Sequence, residues 1–304
     1  MKIVFMGTPT FAVPILNELY KKYEIVLVVS QPNRVKKKGV FIPTPVAEAA
    51  SMLNLKLFQP ERIKDDYDAI INSGADILIT AAYGQYVPSK ILNSFKYCLN
   101  VHGSLLPYHR GGAPIQRCLI NGDEKTGVCI MEMTKRLDAG KVYAFKEYDI
   151  LPEDNNSILF EKLSMIGRDL LMNCIEDIYN GNNQGVSQNE EEATYSPNIS
   201  PEEEIIDLNN TSKNIVNQIR GLSYEPGAYL KIDDIKLKVF KAREISYIGE
   251  ELPGTVLDTK KRIVLKTKDS AIELLEVLYP GKRILSGKDF SNGQKIFVTG
   301  DILK

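Results

Sequence analysis

The sequence predicts an α/β protein with a mostly parallel sheet, followed by a small β-barrel of the OB-like type. The stretches Glu24–Ser30 (EIVLVVS) and Ala75–Ala82 (ADILITAA) are almost continuously apolar. Such runs are expected of strands buried on both faces of a parallel sheet. Five short apolar segments then follow near 228–232, 235–245, 253–258, 262–267 and 272–278. Short strands separated by turn residues are typical of a small barrel.

Two domains are expected, because 304 residues exceed the usual length of one domain. The stretch 182–204 is rich in Asn, Gln, Ser and Glu, which is typical of an exposed linker. We therefore predict a first domain over 1–181, a linker over 182–204 and a second domain over 205–304.

The composition is that of a globular protein, with 43% hydrophobic and 25% charged residues. No apolar run is long enough to span a bilayer, and the start MKIVFMGTP indicates a strand and turn rather than a signal peptide. Cys98, Cys118 and Cys129 lie in apolar stretches, where a small buried hydrophobe is the expected role. We expect a cytoplasmic protein with reduced thiols.

The chain opens with a strand over Lys2–Met6, a turn over Gly7–Thr10 and a helix through Lys22. A strand–turn–helix opening can bind phosphate, but this turn lacks the G-x-G-x-x-G pattern of dinucleotide sites. Pro9 and Pro14 suit the start of a helix, since proline fits the first turn without losing a hydrogen bond. A structural turn is therefore the better interpretation.

A long polar loop over 31–45 follows the second strand and exceeds the usual length of a strand-to-helix connection. Four positive charges fall within five of its residues, at Arg34, Lys36, Lys37 and Lys38. Residues 205–304 carry 17 Lys and Arg against 13 Asp and Glu, a balance of +4. Both features are compatible with a polyanionic partner and equally with a solvated surface.

The next elements continue the α/β pattern. Tyr83–Gly84 follows the strand over Ala75–Ala82, at the sheet edge where ligands bind in open α/β folds. The remaining elements predicted from the pattern are helices over 45–54, 88–95, 113–121 and 155–179, strands over 57–59, 127–133 and 141–150, and a helix over 205–222.

The stretch Tyr97–Gly112 (YCLNVHGSLLPYHRGG) predicts a functional site. Asn100 and His102 are two residues apart at the end of a predicted strand, so their side chains leave the same face. An amide donor beside an imidazole can hold and protonate a carbonyl oxygen that gains charge. The glycines and Pro107 that follow predict a loop that can approach a flat ligand closely.

Asp138 lies in TKRLDAG, between two predicted strands. An aspartate before Ala-Gly is often only a turn former. From the residues alone that interpretation is the better one, although this turn could also bring a carboxylate toward His102.

The run NVHGSLLPYHRGGAPIQ, with LDAG some thirty residues later, closely resembles the folate-dependent formyltransferases. The match extends into the C-terminal part through IRGLSYEPGAYL and KVFKA. The resemblance implies a Rossmann-like formyltransferase domain and a tRNA-binding barrel. It also implies formyl transfer from 10-formyltetrahydrofolate, a consumed cosubstrate, to the amino group of methionyl-tRNA, by a monomer that needs no metal.

The resemblance also implies the roles of particular residues. Asn100, His102 and Asp138 match the family's catalytic residues, Asp138 keeping His102 charged and oriented. The folate is expected against Ser104, Leu105, Leu106 and Pro107, and against the strand end at Ala82, Tyr83 and Gly84. The tRNA acceptor end is expected at Arg34, Lys36, Lys37 and Lys38.

Two other functions remain open. A formyltransferase acting on a nucleotide sugar or another small amine would share the catalytic residues, whereas the basic loop and added barrel favour tRNA. A glycinamide ribonucleotide formyltransferase is disfavoured by the length and by the missing glycine-rich phosphate loop. A non-catalytic nucleotide- or RNA-binding module on the same fold is the second possibility.

Overall fold

The computed structural model describes residues 1–36, 40–293 and 296–303. The chain folds into two compact units. The first comprises Met1–Pro114, Lys125–Asp149 and Phe160–Pro197, and the second comprises Ile115–Glu124, Ile150–Leu159 and Asn198–Lys304. Neither unit is one contiguous stretch, and most of the predicted linker belongs to the first. The functional boundaries at 181 and 205 stay a prediction.

The elements up to residue 200 follow the predicted α/β order, with three additions that were not predicted: two short strands in the loop over 31–45 and a short helix over 68–71. Their strands are β1 (Lys2–Gly7), β2 (Glu24–Val29), β3 (Arg34–Lys36), β4 (Val40–Ile42), β5 (Leu57–Phe58), β6 (Ile77–Ala81), β7 (Tyr97–His102), β8 (Lys125–Glu132) and β9 (Val142–Asp149). Their helices are α1 (Val13–Lys22), α2 (Pro45–Met52), α3 (Asp68–Ile71), α4 (Ser89–Leu92), α5 (Pro114–Asn121) and α6 (Asn156–Tyr179).

Seven of these strands form the sheet of the first unit, in the order β5-β2-β1-β6-β7-β8-β9. The five strands from β5 to β7 are parallel, and β8 and β9 add antiparallel to the edge. The predicted mostly parallel sheet is confirmed. Buried side chains such as Val4, Leu27 and Leu78 fill its core, each contributing about 1.5–3 kcal/mol of transfer free energy.

The strand order predicts a ligand site at the carboxyl ends of the central strands. The chain moves from β1 outward to β2 and β5, then returns to the other side of β1 through β6 and β7. The order therefore reverses between β1 and β6. In open α/β sheets, ligands bind at the carboxyl ends of the strands beside such a reversal.

The predicted polar loop over 31–45 contains a short hairpin. β3 pairs antiparallel with β4, and Arg34 lies opposite Ile42. The apolar residues Val40, Phe41 and Ile42 favour a strand, and they pair with Lys36, Val35 and Arg34, respectively. Lys37 and Lys38 lie outside the described residues.

The second unit contains α7 (Ser212–Leu222), α8 (Gly287–Gly293) and an antiparallel sheet. Its strands are β10 (Ala228–Ile232), β11 (Ile235–Ile245), β12 (Val256–Asp258), β13 (Ile263–Lys266), β14 (Ala271–Leu278) and β15 (Ile284–Ser286). Their order is β10-β11-β14-β13-β12, with β15 paired to β14. The five predicted strands are confirmed, and β15 is a sixth. Ile215, Ile219 and Leu222 of α7 pack into the core, as their helical spacing predicts.

All four cysteines are free and buried, which confirms the role expected for Cys98, Cys118 and Cys129. Burial raises the pKa of Cys129 to about 11. Among the described residues, no helix has both the length and the apolar character needed to cross a bilayer.

Candidate active site

Asn100 and His102 lie side by side at the carboxyl end of β7. The strand alternation brings both side chains to one face, as the sequence predicts. β7 is an inner strand of the sheet, with β6 on one side and β8 on the other. Only 5% of the His102 side chain is exposed. Electrostatic interactions in such a water-poor position are stronger than at the surface.

Thr80 of β6 orients the Asn100 amide. Parallel pairing places Thr80 opposite Asn100, and its hydroxyl donates to Asn100 Oδ1 over 2.8 Å. With its oxygen engaged, the amide presents Nδ2 as a donor to a substrate oxygen. The sequence analysis missed Thr80. Its signal was a hydroxyl residue within the apolar run ILITAA.

The backbone of His109 fixes the proton arrangement of His102. The carbonyl of His109 lies 3.1 Å from His102 Nε2, and a carbonyl only accepts, so Nε2 carries a proton. The other ring nitrogen, Nδ1, faces Asp138 Oδ2 at 3.8 Å. Nδ1 is therefore the ring atom that can gain or lose a proton during a reaction. His109 holds its carbonyl there with a φ of 58°.

Asp138 reaches His102 from the loop between β8 and β9. Its Oδ2 accepts a hydrogen bond from the Gly111 amide over 2.8 Å, and 14% of its side chain is exposed. Asp138 has a φ of 46° and Gly111 a φ of 125°. A Cβ on Gly111 would lie 2.6 Å from the carbonyl oxygen of Ser196, so only glycine fits. The structure brings together the three residues that the resemblance implies.

A buried arginine lies next to this site. The Arg110 side chain is fully buried; it donates to Gln188 Oε1 over 2.8 Å and to Glu190 Oε1 over 3.0 Å. The hydrogen-bonded carboxylate of Glu190 raises the pKa of Arg110, and Arg110 lowers the pKa of Glu190. Sequence reasoning missed this cluster because Gln188 and Glu190 fall in the predicted linker.

The loop over 104–107, predicted to bind folate, has two halves. Ser104 and Leu105 form an internal half that contacts the protein itself, and Leu106 and Pro107 form an open half that lines a cavity. Ser104 is buried, and its hydroxyl donates to the carbonyl of Tyr108 over 2.7 Å. Leu105 packs close to Gly127, where a Cβ would lie 2.5 Å from it. Leu106 and Pro107 line a cavity of about 440 Å³ together with Val142, Tyr143, Ala144, Phe145, Val186, Ser187, Gln188 and Asn189. The open half of the loop is thus the part available to a ligand.

Ala82, Tyr83 and Gly84 lie at the end of β6, one strand from His102. Ala82 is exposed with a φ of 47°. The Tyr83 carbonyl accepts from Thr8 Oγ1 over 2.8 Å and from Gln31 Nε2 over 3.0 Å. The Tyr83 ring is buried in the core, and burial raises the pKa of its hydroxyl. Only the backbone of Tyr83 is therefore placed to line a site.

Of the predicted basic residues, Arg34 and Lys36 are described, and both lie on β3. Arg34 is exposed at the start of β3, and Lys36 ends that strand. Among the described residues, no group of three or more His, Cys, Asp and Glu side chains could hold a metal ion.

An amide donor, a histidine and a carboxylate side by side can serve acyl transfer. Comparisons with known proteins show the family of the chain. The formyl transferase family model matches residues 1–175, and the formyl transferase C-terminal domain model matches 198–295. The chain therefore belongs to the formyltransferase family, and the family resemblance of its motifs is confirmed.

Relatives with similar sequences belong to one group within this family. The methionyl-tRNA formyltransferase of Lactobacillus acidophilus is 43% identical over 306 residues, covering 98% of both chains. That of Streptococcus suis is 43% identical over 298 residues, covering 96% of this chain and 95% of its own.

Solved structures share the fold at lower identity. The sugar 3N-formyl transferase WlaRD, solved in the presence of dTDP and 5-N-formyl-THF, has a TM-score of 0.69 at 21% identity, covering 93% of this chain and 99% of its own. HypX from Aquifex aeolicus in complex with tetrahydrofolic acid has a TM-score of 0.67 at 16% identity. That match covers 99% of this chain and 48% of HypX, so the chain spans about half of that protein.

Proposed function

We propose that this chain transfers the formyl group of 10-formyltetrahydrofolate to the amino group of methionyl-tRNA, giving N-formylmethionyl-tRNA for translation initiation. The observation that carries the proposal is the convergence of Asn100, His102 and Asp138 at one sheet edge. Relatives named for this activity, similar over almost the whole chain, support the choice of acceptor. We further propose that the protein acts as a monomer in the cytoplasm.

The three side chains divide the work of acyl transfer. 10-Formyltetrahydrofolate supplies a formyl group bound as an amide, which an amine can attack. Asn100 Nδ2 donates to the formyl oxygen as it gains negative charge, a contribution of ~3–4 kcal/mol for one such donor. Protonated His102 adds a positive charge beside the same oxygen.

Asp138 stabilises the charged imidazole ring and orients its Nδ1. The distance of 3.8 Å between Nδ1 and Oδ2 is longer than a direct hydrogen bond. A bridging water therefore fits the proton path better than direct contact. As the bond from the amine to the formyl carbon forms, the Asp138 carboxylate takes the amine proton through this water, because the ring of His102 is already protonated. The bond from that carbon to the folate nitrogen then breaks, and this nitrogen receives the proton.

The folate site is proposed at the open half of the loop and at the end of β6. Pro107, Val142, Tyr143 and Phe145 give the cavity apolar and aromatic walls, which suit a flat aromatic ligand. Ser104 and Leu105 support the loop from inside. Ala82 and Gly84 offer exposed backbone on the neighbouring strand end.

The tRNA is proposed to contact the β3–β4 hairpin and the region 205–304. Arg34 and the lysines that follow carry charge suited to phosphate. The proposed division of the chain is therefore a catalytic domain over 1–181 and a tRNA-binding domain over 205–304.

A transfer assay with purified tRNA charged with methionine tests the proposal. Formylation of methionyl-tRNA, with a nucleotide-linked amino sugar unmodified, is the expected result. The reverse preference would assign the protein to the sugar group, to which its fold is also similar. Absence of transfer to either acceptor would leave a binding module.

The catalytic assignment is tested by Asn100→Ala and His102→Ala. Each should remove most of the turnover while the melting temperature stays near that of the parent. The double variant should lose much less than the product of the single losses, because both groups act on one transition state. Full activity in folded His102→Ala protein would contradict the mechanism.

A further inference from the structure

The segment 182–197 is tied to both sides of the candidate active site. On one side, Val142 and Val186 exchange backbone hydrogen bonds of 2.9 and 2.8 Å beside the Asp138 loop. On the other, the Arg110 amide donates to the carbonyl of Thr194 over 2.9 Å, and the Ser196 amide donates to that of Arg110 over 2.7 Å. The segment therefore connects the two loops that carry the catalytic aspartate and its partner amide.

Gln188 is the side chain that joins these two loops directly. Its Nε2 donates to the carbonyl of Asp138 over 2.8 Å and to that of Gly140 over 2.7 Å. Its Oε1 accepts from Arg110 Nε over 3.1 Å and from a second Arg110 nitrogen over 2.8 Å. One half-buried amide thus uses both donors on the aspartate loop and its oxygen on the buried guanidinium.

These contacts hold Asp138 from two sides. Arg110 is followed in the chain by Gly111, whose amide holds the Asp138 carboxylate. Asp138 is therefore held at its backbone through Gln188 and at its side chain through Gly111. Its φ of 46° is a conformation that non-glycine residues adopt at a cost of about 1 kcal/mol or more, so external support is needed to keep it.

We infer that Gln188 is a positioning residue for formyl transfer, holding the Asp138 turn at the distance from His102 that the reaction requires. Gln188 acts through Asp138 and does not react itself. The inference rests on the proposed function, because it assigns Asp138 its part in that reaction. A misplacement of about 1 Å can lower turnover on the order of 100-fold.

The test is Gln188→Met, which keeps an unbranched side chain of similar length and removes both donors and the acceptor. We expect kcat to fall roughly 10- to 100-fold, with the KM values for folate and tRNA within about threefold of the parent. The matched control is Gln184→Met, an exposed glutamine of the same segment whose Nε2 donates to the carbonyl of Gly181, three residues earlier. In an Asp138→Asn background, Gln188→Met should lower kcat by less than about threefold, since the residue it positions has already lost its charge.

Hydrogen exchange of the Gly111 amide gives a readout without turnover. It should become faster in Gln188→Met and stay unchanged in Gln184→Met. This measurement still decides the inference if the acceptor or the reaction differs from the proposal.

If Gln188→Met fails to fold, Gln188→Glu keeps an acceptor for Arg110 while removing the donors, and the same exchange and kcat changes are expected. Equal losses of kcat in both Asp138 backgrounds, a rise in folate KM alone, or unchanged Gly111 exchange would each overturn the inference.

Discussion

Replacing Asp138 by Asn removes one negative charge beside His102 and little else. Asparagine has nearly the same shape, and its Oδ1 can still accept from the Gly111 amide that now bonds Asp138 over 2.8 Å. The charges of a protonated His102 and Asp138, separated by 3.8 Å, attract each other by ~4 kcal/mol at an effective dielectric constant of about 20. If half to all of this attraction is realised in the transition state, kcat should fall roughly 30- to 1,000-fold.

The assay is steady-state formylation of charged tRNA, with thermal unfolding to verify the fold. Asp149→Asn is a matched control, because Asp149 Oδ1 is also 3.8 Å from a cation, Lys125 Nζ, but its side chain is 79% exposed. Screened by water, that pair should contribute nothing measurable to kcat. A loss of less than threefold in Asp138→Asn, or an equal loss in Asp149→Asn, would refute the electrostatic role of Asp138.

Three further predictions concern the ligands and stability. A tetrahydrofolate analogue should slow hydrogen exchange over 104–107 and 142–145, whereas NAD should not, and unchanged exchange there with binding detected would move the folate site elsewhere. Replacing Lys36, Lys37 and Lys38 by alanine should raise the KM for tRNA but not for folate. It should also flatten the slope of log affinity against log salt by roughly two to three; the same slope as in a Lys21→Ala, Lys22→Ala control would leave this loop a solvated surface. Hydrogen bonding to Arg117 lowers the pKa of Glu203 to about 2, so this carboxylate stabilises the fold at neutral pH and loses that contribution as the pH falls from ~4 toward 2. Glu203→Gln should therefore lower the free energy of unfolding at pH 7 by less than about 1 kcal/mol, because Glu203 is partly exposed. Melting temperatures of parent and variant should differ at pH 7 and not at pH 2.

The sequence predicted the fold wherever burial imposes a simple pattern. Continuous apolar runs identified β2 and β6 as buried parallel strands, and the 3.6-residue spacing identified α7. The sequence was less informative where strand residues lie next to a run of charged residues. The hairpin of β3 and β4 was described as a loop because the lysines outweighed Val40, Phe41 and Ile42 in the pattern.

The candidate site was predictable only where its parts lie close in the chain. Asn100 and His102 are two residues apart, so strand alternation alone puts them on one face. Thr80 and Gln188 contact this site from segments 20 and 50 residues away from Asn100 and Asp138, respectively. For Gln188 nothing local marks this role, and for Thr80 the local signal is a single hydroxyl within an apolar run. Both roles depend on strand register and on loops that meet only in the folded chain.

Backbone groups build this site as much as side chains do. The carbonyl of His109 engages His102 Nε2, and the amide of Gly111 engages the Asp138 carboxylate. His109, Gly111 and Asp138 all have positive φ angles, and for the two non-glycine residues this conformation costs free energy. The surrounding hydrogen bonds, including those from Gln188, offset that cost. A motif records only the side chains of the acyl-transfer chemistry, whereas the proton on His102 and the position of Asp138 are set by backbone atoms. The function of His102 and Asp138 therefore depends on the backbone conformation of residues 109–111 as well as on their own side chains.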